Sequence, residues 1–172
     1  LNFYQKYIQF QRAQKVVRRW VCPSQFPNFP EILFEYKKKA IEKGIEQASG
    51  QLVVTTDADC IPSPDWLKTI AAFKEEKNAV FIAAPVVFSH NNSALQLFQS
   101  LDFLVLQGIT AASVHKRVHS MCNGANLAYE RNAFEAVNGF SGIDTIASGD
   151  DMLLMHKIAK QYPQQIHFLK AK

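Results

Sequence analysis

Asp57 and Asp59 stand two residues apart, directly after the β-branched run QLVVTT. In an extended chain, residues i and i+2 project to the same side. Two carboxylates held in that way repel each other, and a hard divalent cation, Mg²⁺ or Mn²⁺, relieves the repulsion by taking carboxylate and phosphate oxygens together. A diphosphate is the partner such a site implies. The simpler alternative is that Asp57 caps the loop that follows and Asp59 is solvated. A second acidic pair, Asp150 and Asp151 in SGDDMLLMHKIA, opens a helical pattern, where free amides and the positive end of the helix dipole favour carboxylates. Asp150 as a plain N-cap is the structural alternative there. Two acidic pairs in one chain, each before a helix, are the pattern expected of a metal site and a separate general base.

Between the pairs lies CNGANLAYERNAFEAVNGF, with Gly124 and Gly139 at points where the backbone must turn or approach a ligand closely. His115 and His119, four apart in SVHKRVHSM, have a spacing that suits metal ligands on one helix face, but no third ligand is evident. A solvated basic loop is the reading they support, with Lys116 and Arg117 able to touch a diphosphate or a lipid phosphate. His156 and His167 read as surface or packing residues. Cys60 and Cys122 have no neighbouring His to form a thiolate pair and read as small buried residues.

The elements that must position these residues follow from periodicity and breakers. Residues 1–20 carry an imperfect amphipathic pattern, and the three prolines of CPSQFPNFP mark a loop over 22–30. A short strand is expected at 32–34. A helix follows over 35–49, with Gly50 in the position of a left-handed stop. Residues 51–56 read as a central parallel strand covered on both faces. Ser63 is placed to cap, and Pro64 to open, a helix running to about Lys77. Further strands are expected at 79–88 and 165–169, and further helices at 93–112, 130–137 and 150–161. The apolar density of 95–106 suits core, or docking against a membrane-proximal helix. Strands alternating with helices argue for an α/β domain with a mostly parallel sheet.

The chain has 172 residues, 48% hydrophobic and 20% charged, proportions that exclude a disordered or collagenous chain and fit one domain with a real core. Nineteen Lys and Arg against fifteen Asp and Glu leave a net charge of +4, which favours anionic ligands without implying nucleic acid. Three cysteines without CxxC spacing indicate neither a disulfide framework nor a zinc knuckle, so a reducing compartment fits. The longest uninterrupted apolar stretch, 79–88, is too short to cross a bilayer.

Taken together, ASGQLVVTTDADCIPSPDWL, CNGANLAYERNAFEAVNGF and ASGDDMLLMHKIA resemble glycosyltransferase family 2, the inverting nucleotide-sugar transferases of the GT-A fold. With the helix KKKAIEKGIEQASG, the resemblance covers residues 31–172. It implies a Rossmann-like, mostly parallel sheet flanked by helices. It also implies that Asp59 is the direct ligand of Mg²⁺ or Mn²⁺ and that Asp57 supports the metal and contacts the nucleotide sugar. Lys37 then faces the nucleotide, although Tyr36 stands where the family commonly has Gly. Gly124, Ala125 and Asn126 fall on the acceptor-site segment. Asp150 and Asp151 fall on the catalytic acidic pair, with Asp151 inheriting the role of base.

The family's first apolar strand and its second, acid-ended strand, which hold the nucleotide, are not found. The chain therefore reads as the interior of a longer enzyme, attached to the cytoplasmic face of a membrane through segments outside it and inactive or nearly so alone. The expected partners are a nucleotide-sugar donor and a glycan or lipid acceptor. A nucleotidyltransferase and a non-catalytic nucleotide-sugar or glycan-binding module are the rival readings.

Overall fold

The computed structural model describes residues 29–57, 59–88, 93–143, 146 and 149–170. The expected helix over 1–20, most of the proline-rich loop and Ala58 lie outside them. Helix α1 (Phe29–Gln47) takes in the segment expected to be a short strand. Pro30 sits in its first turn, where the missing N–H costs nothing, and the apolar run that follows continues the helix instead of starting a sheet. The helix ends three residues before Gly50.

Strand β1 (Leu52–Thr55) is followed by α2 (Trp66–Lys77) and β2 (Phe81–Ala83). Ser63 contributes to the start of α2 through its carbonyl, which accepts from Trp66 N at 3.1 Å. Asp65 holds the N-cap position without a side-chain bond, so capping by the Ser63 hydroxyl and initiation at Pro64 are both corrected. Strand β2 is shorter than the 79–88 run because Pro85 has no N–H to continue a ladder. The long helix α3 (Ala94–His115) starts on Ser93, whose hydroxyl accepts from Gln96 N at 3.2 Å. A single 3₁₀ turn (Gly124–Asn126) then leads into β3 (Leu127–Glu130) and the short α4 (Arg131–Ala136). Asn138 and Gly139, with φ of 54° and 49°, reverse the chain after α4. A Cβ on Gly139 would also meet the Phe134 ring at 2.8 Å. Helix α5 (Asp150–Gln161) and β4 (Ile166–Phe168) complete the order.

The sheet order is β1-β3-β2-β4. Strands β1, β2 and β4 run the same way, while β3 runs against them, so β1–β3 and β2–β3 are antiparallel and only β2–β4 is parallel. This corrects the expectation of mostly parallel pairing, and with it the placement of β1 as a central parallel strand. The crossover through α2 leaves a one-strand gap between β1 and β2, and β3 fills that gap from the opposite end. Both faces of β1 are nevertheless covered. Val53, Phe81 and Tyr129 point into the larger core, with Phe134, Leu154, Met155 and Ile158. Leu52 and Val54 pack against the smaller cluster of Ile70, Ala79, Ile82 and Ala128. Helices thus lie on both faces of the sheet, the arrangement of an α/β domain.

Helix α3 departs from expectation most. Of the two readings of segment 95–106, core or docking against a membrane-proximal helix, the first is corrected: Leu95, Leu97, Phe98, Leu101, Leu104 and Val105 are all exposed. Its buried residues are Gln107, Thr110, Ser113 and Val114, so polar side chains form most of the face turned inward.

Candidate active site

Asp57 and Asp59 follow the last residue of β1 and are both exposed. The turn that carries them is closed by Cys60 N, which donates to Asp57 O at 3.2 Å. Thr55 joins this strand end to the second motif, because its hydroxyl donates to Gly124 O at 2.9 Å. The β1–β3 register, with Thr55 opposite Leu127, brings the two motifs side by side.

Gly124, Ala125 and Asn126 form the 3₁₀ turn, which is capped by Asn123 Oδ1 accepting from Ala125 N at 2.9 Å. Asn126 is an internal tie. Its Oδ1 accepts from Trp66 Nε1 at 2.9 Å, and its Nδ2 donates to Pro85 O at 2.8 Å. One amide thereby links the start of α2, the exit of β2 and the entry to β3. Asp59, Trp66, Pro85, Ala125 and Asn126 line one open cleft of about 1160 Å³, with Lys170 on its wall.

The second acidic pair meets the motif from the other side. A Cβ on Gly124 would lie 3.1 Å from Asp151 Oδ2, so glycine admits the carboxylate against the turn. Asp151 Oδ1 accepts from Met152 N at 2.9 Å, which orients the group at the head of α5. Gly149 holds the N-cap position with φ 78°, and Asp150 is the first helical residue, so Asp150 is not the N-cap. Burial pushes the Cys122 thiol up, and the Asp151 and Asp150 carboxylates push it further. Burial and the Asp150 charge act in the same direction on the Tyr129 phenol. Cys122, expected to be a small buried residue, is half-buried beside the pair, and the raised pKa disfavours its thiolate.

The structure thus brings Asp59 together with Ala125 and Asn126, and Asp151 together with Gly124. Asp57, Asp150 and Asp151 are not among the described residues lining the 1160 Å³ cleft. Lys37 falls on α1, and its side chain lies outside the described residues. Among the described residues, no three His, Cys, Asp or Glu side chains cluster to hold a metal ion. Two exposed carboxylates still fit Mg²⁺ or Mn²⁺ in donor chemistry, because such ions take one or two protein carboxylates and complete their shell with phosphate and water.

His119 is a correction. It is buried, with φ 53°, whereas a solvated loop was expected. Among the described residues neither of its ring nitrogens has a hydrogen-bond partner, and desolvation, followed by His156 and Arg117, lowers its pKa. His156 packs beneath it, with Nε2 2.5 Å from His119 O.

Thr55, Trp66 and Lys38 were not singled out in the sequence as site residues. Trp66 left a usable signal, since an indole N–H at the mouth of an acidic loop needs an acceptor. Lys38 left none. It is 4% exposed, and its Nζ donates to Ile143 O at 2.5 Å and Ile146 O at 2.6 Å, tying α1 to the segment that leads into α5.

A family model described as Glycosyl transferase family 2 matches residues 34–137, more than half of the chain. The chain belongs to glycosyltransferase family 2. Membership supports glycosyl transfer, with a nucleotide-sugar donor and an acceptor in general terms. It carries the α/β fold of the family's GT-A class, here with a small mixed sheet. The family match includes Lys37, Asp57, Asp59 and the Gly124–Asn126 turn and ends before Asp150 and Asp151. Comparison with curated proteins finds no match.

Proposed function

We propose that this family 2 chain carries the catalytic core of an inverting, divalent-cation-dependent glycosyltransferase. The donor is a nucleoside-diphosphate sugar, and the acceptor is a hydroxyl of a glycan or lipid. The observation that carries this reading is the turn Gly124–Asn126, which is bonded to the end of β1 before Asp57 and Asp59 and also lies against Asp151. Asp59, with Asp57, would hold Mg²⁺ or Mn²⁺, an ion that supplies neutralisation of the leaving diphosphate. Asp151 takes the proton of the acceptor hydroxyl as its oxygen bonds to the anomeric carbon. The bond from that carbon to the diphosphate oxygen breaks in the same step, and the electron pair leaves with the diphosphate. One displacement inverts the anomeric centre, and no covalent enzyme intermediate forms. Asp150 contributes negative charge at the helix start and orients its neighbour.

Calorimetry with nucleoside diphosphates and Mn²⁺ tests the donor half of this reading. Asp59→Ala should abolish the Mn²⁺-dependent part of the affinity and leave the circular dichroism spectrum unchanged, because Asp59 is exposed at a loop. Unchanged Mn²⁺-dependent affinity in the variant would overturn the assignment. Release of pyrophosphate in place of a nucleoside diphosphate would move the chain to nucleotidyl transfer.

A further inference from the structure

Helix α3 is inside out. The side chains it buries include Gln107, Thr110 and Ser113, while Phe98 is 68% exposed, Val105 60% and Leu101 54%. Thr110 and Ser113 satisfy themselves within the helix, through Leu106 O and Thr110 O, both at 3.0 Å. At about 100° per residue, the exposed large apolar residues from Leu104 round to Leu106 cover roughly 200° of the helix surface. That arc is far wider than the two-in-seven stripe of a helix pair. A second copy docked along it would leave much of the apolar surface in water.

By length and composition this helix also meets the requirement for a membrane-crossing segment. Its polar inner face, packed towards β4, favours lying along a bilayer surface. The charges agree with an anionic surface. His115, Lys116 and Arg117 are exposed together at the C-terminal end. Asp102 is the one carboxylate on the helix and sits towards one margin of the arc. The apolar surface continues to the mouth of the cleft, because the Phe88 ring meets the Phe103 ring edge-on at 5.2 Å and Phe88, Val87 and Ile61 are exposed on the cleft wall.

We infer that the outward face of α3 docks on an anionic lipid bilayer, lying in the headgroup boundary and bringing the mouth of the cleft to the membrane surface. This goes beyond the glycosyltransferase reading and is testable apart from it, since Mn²⁺-dependent nucleotide affinity does not involve α3.

The test is co-sedimentation of the whole chain with vesicles of phosphatidylcholine, with and without phosphatidylglycerol. Binding is expected to the mixed vesicles and to be weaker to phosphatidylcholine alone. Leu101→Asp and Val105→Asp, at exposed positions, should each weaken binding about tenfold or more while leaving the melting temperature unchanged. Lys116→Gln with Arg117→Gln should erase the preference for anionic vesicles. Absence of sedimentation with either vesicle would overturn the inference. So would unfolding of the Leu101→Asp and Val105→Asp variants, which would make the face core. A dimer in gel filtration that Leu101→Asp splits, without vesicle binding, would assign the face to a second copy and overturn it as well.

Discussion

Asp151 lies against Gly124 so closely that a single methyl group at position 124 would stand 3.1 Å from its Oδ2. This contact couples the 3₁₀ turn, already bonded to β1 through Thr55, to the head of α5. Gly124→Ala should displace the carboxylate by a few tenths of an ångström and reduce sugar transfer roughly tenfold, with a change in stability below about 1 kcal/mol. Turnover in the full-length, active enzyme and thermal melts of the variant check the two halves. A variant as active as the parent would separate Asp151 from the reacting centre.

Replacement of the base is the sharper test of the same pair. Asp151→Asn keeps the size of the side chain and an oxygen that can accept from Met152 N, but it cannot take the proton. In the full-length, active enzyme, turnover should fall roughly 10²-fold to 10⁴-fold with donor affinity preserved. Asp150→Asn should do less. If Asp150→Asn is the more damaging change at equal donor affinity, the base has been placed on the wrong carboxylate.

Lys38 offers a prediction about positioning. Its buried ammonium donates to two carbonyls, Ile143 O and Ile146 O. Lys38→Met removes these charge-assisted bonds and leaves the two carbonyls to find other donors, at a cost of about 2–4 kcal/mol. Hydrogen exchange should rise in the segment around Ile146, ahead of Asp150. Denaturant melts that match the parent would show that the ammonium contributes nothing to holding this segment.

The amide of Asn126 should show coupling to Trp66. Trp66→Phe removes one N–H donor and should cost about 1 kcal/mol, whereas Asn126→Ala also strips Pro85 O of its donor and should cost about 2 kcal/mol. In the double variant the two costs should fall short of their sum, because the Trp66–Asn126 bond is lost only once. Strict additivity would mean that this hydrogen bond has no net effect on stability.

His119 should make the fold sensitive to acid. Its pKa is lowered in the native state by desolvation first and by His156 and Arg117 after that, and that of His167 is lowered by burial and Lys77. Above the unfolded value of about 6.5, both histidines are neutral in either state and contribute no pH dependence. Below it the unfolded chain takes up protons first, so stability falls as pH drops from about 7 towards 5. His119→Gln should flatten part of that fall, with His167 supplying the rest. Melts across this range that are identical for the variant and the parent would rule His119 out as the source.

Residue type and spacing alone marked both acidic pairs, the stretch containing Gly124–Asn126, and the helices α2, α3, α4 and α5. Those features are local. A carboxylate pair after a β-branched run, or a helix period closed by Asn138 and Gly139, is written in neighbouring residues and survives whatever the rest of the chain does. Strand β3 was not expected from the sequence, and its antiparallel course was not legible either, because LAYE is a short apolar run that looks the same whichever way its partners point. Neither was the extension of α1 across 32–34, where a short apolar run fits helix and strand alike. At the site, tertiary contact alone decided that Asn126 ties Trp66 to Pro85, that Lys38 reaches past a hundred residues to Ile143, and that Asp151 rests on Gly124. Burial had the last word on α3 and His119: an apolar helix is core only if something covers it, and a histidine is solvated only if nothing does. Sequence patterning reports which residues favour leaving water, and three-dimensional packing determines which of them do.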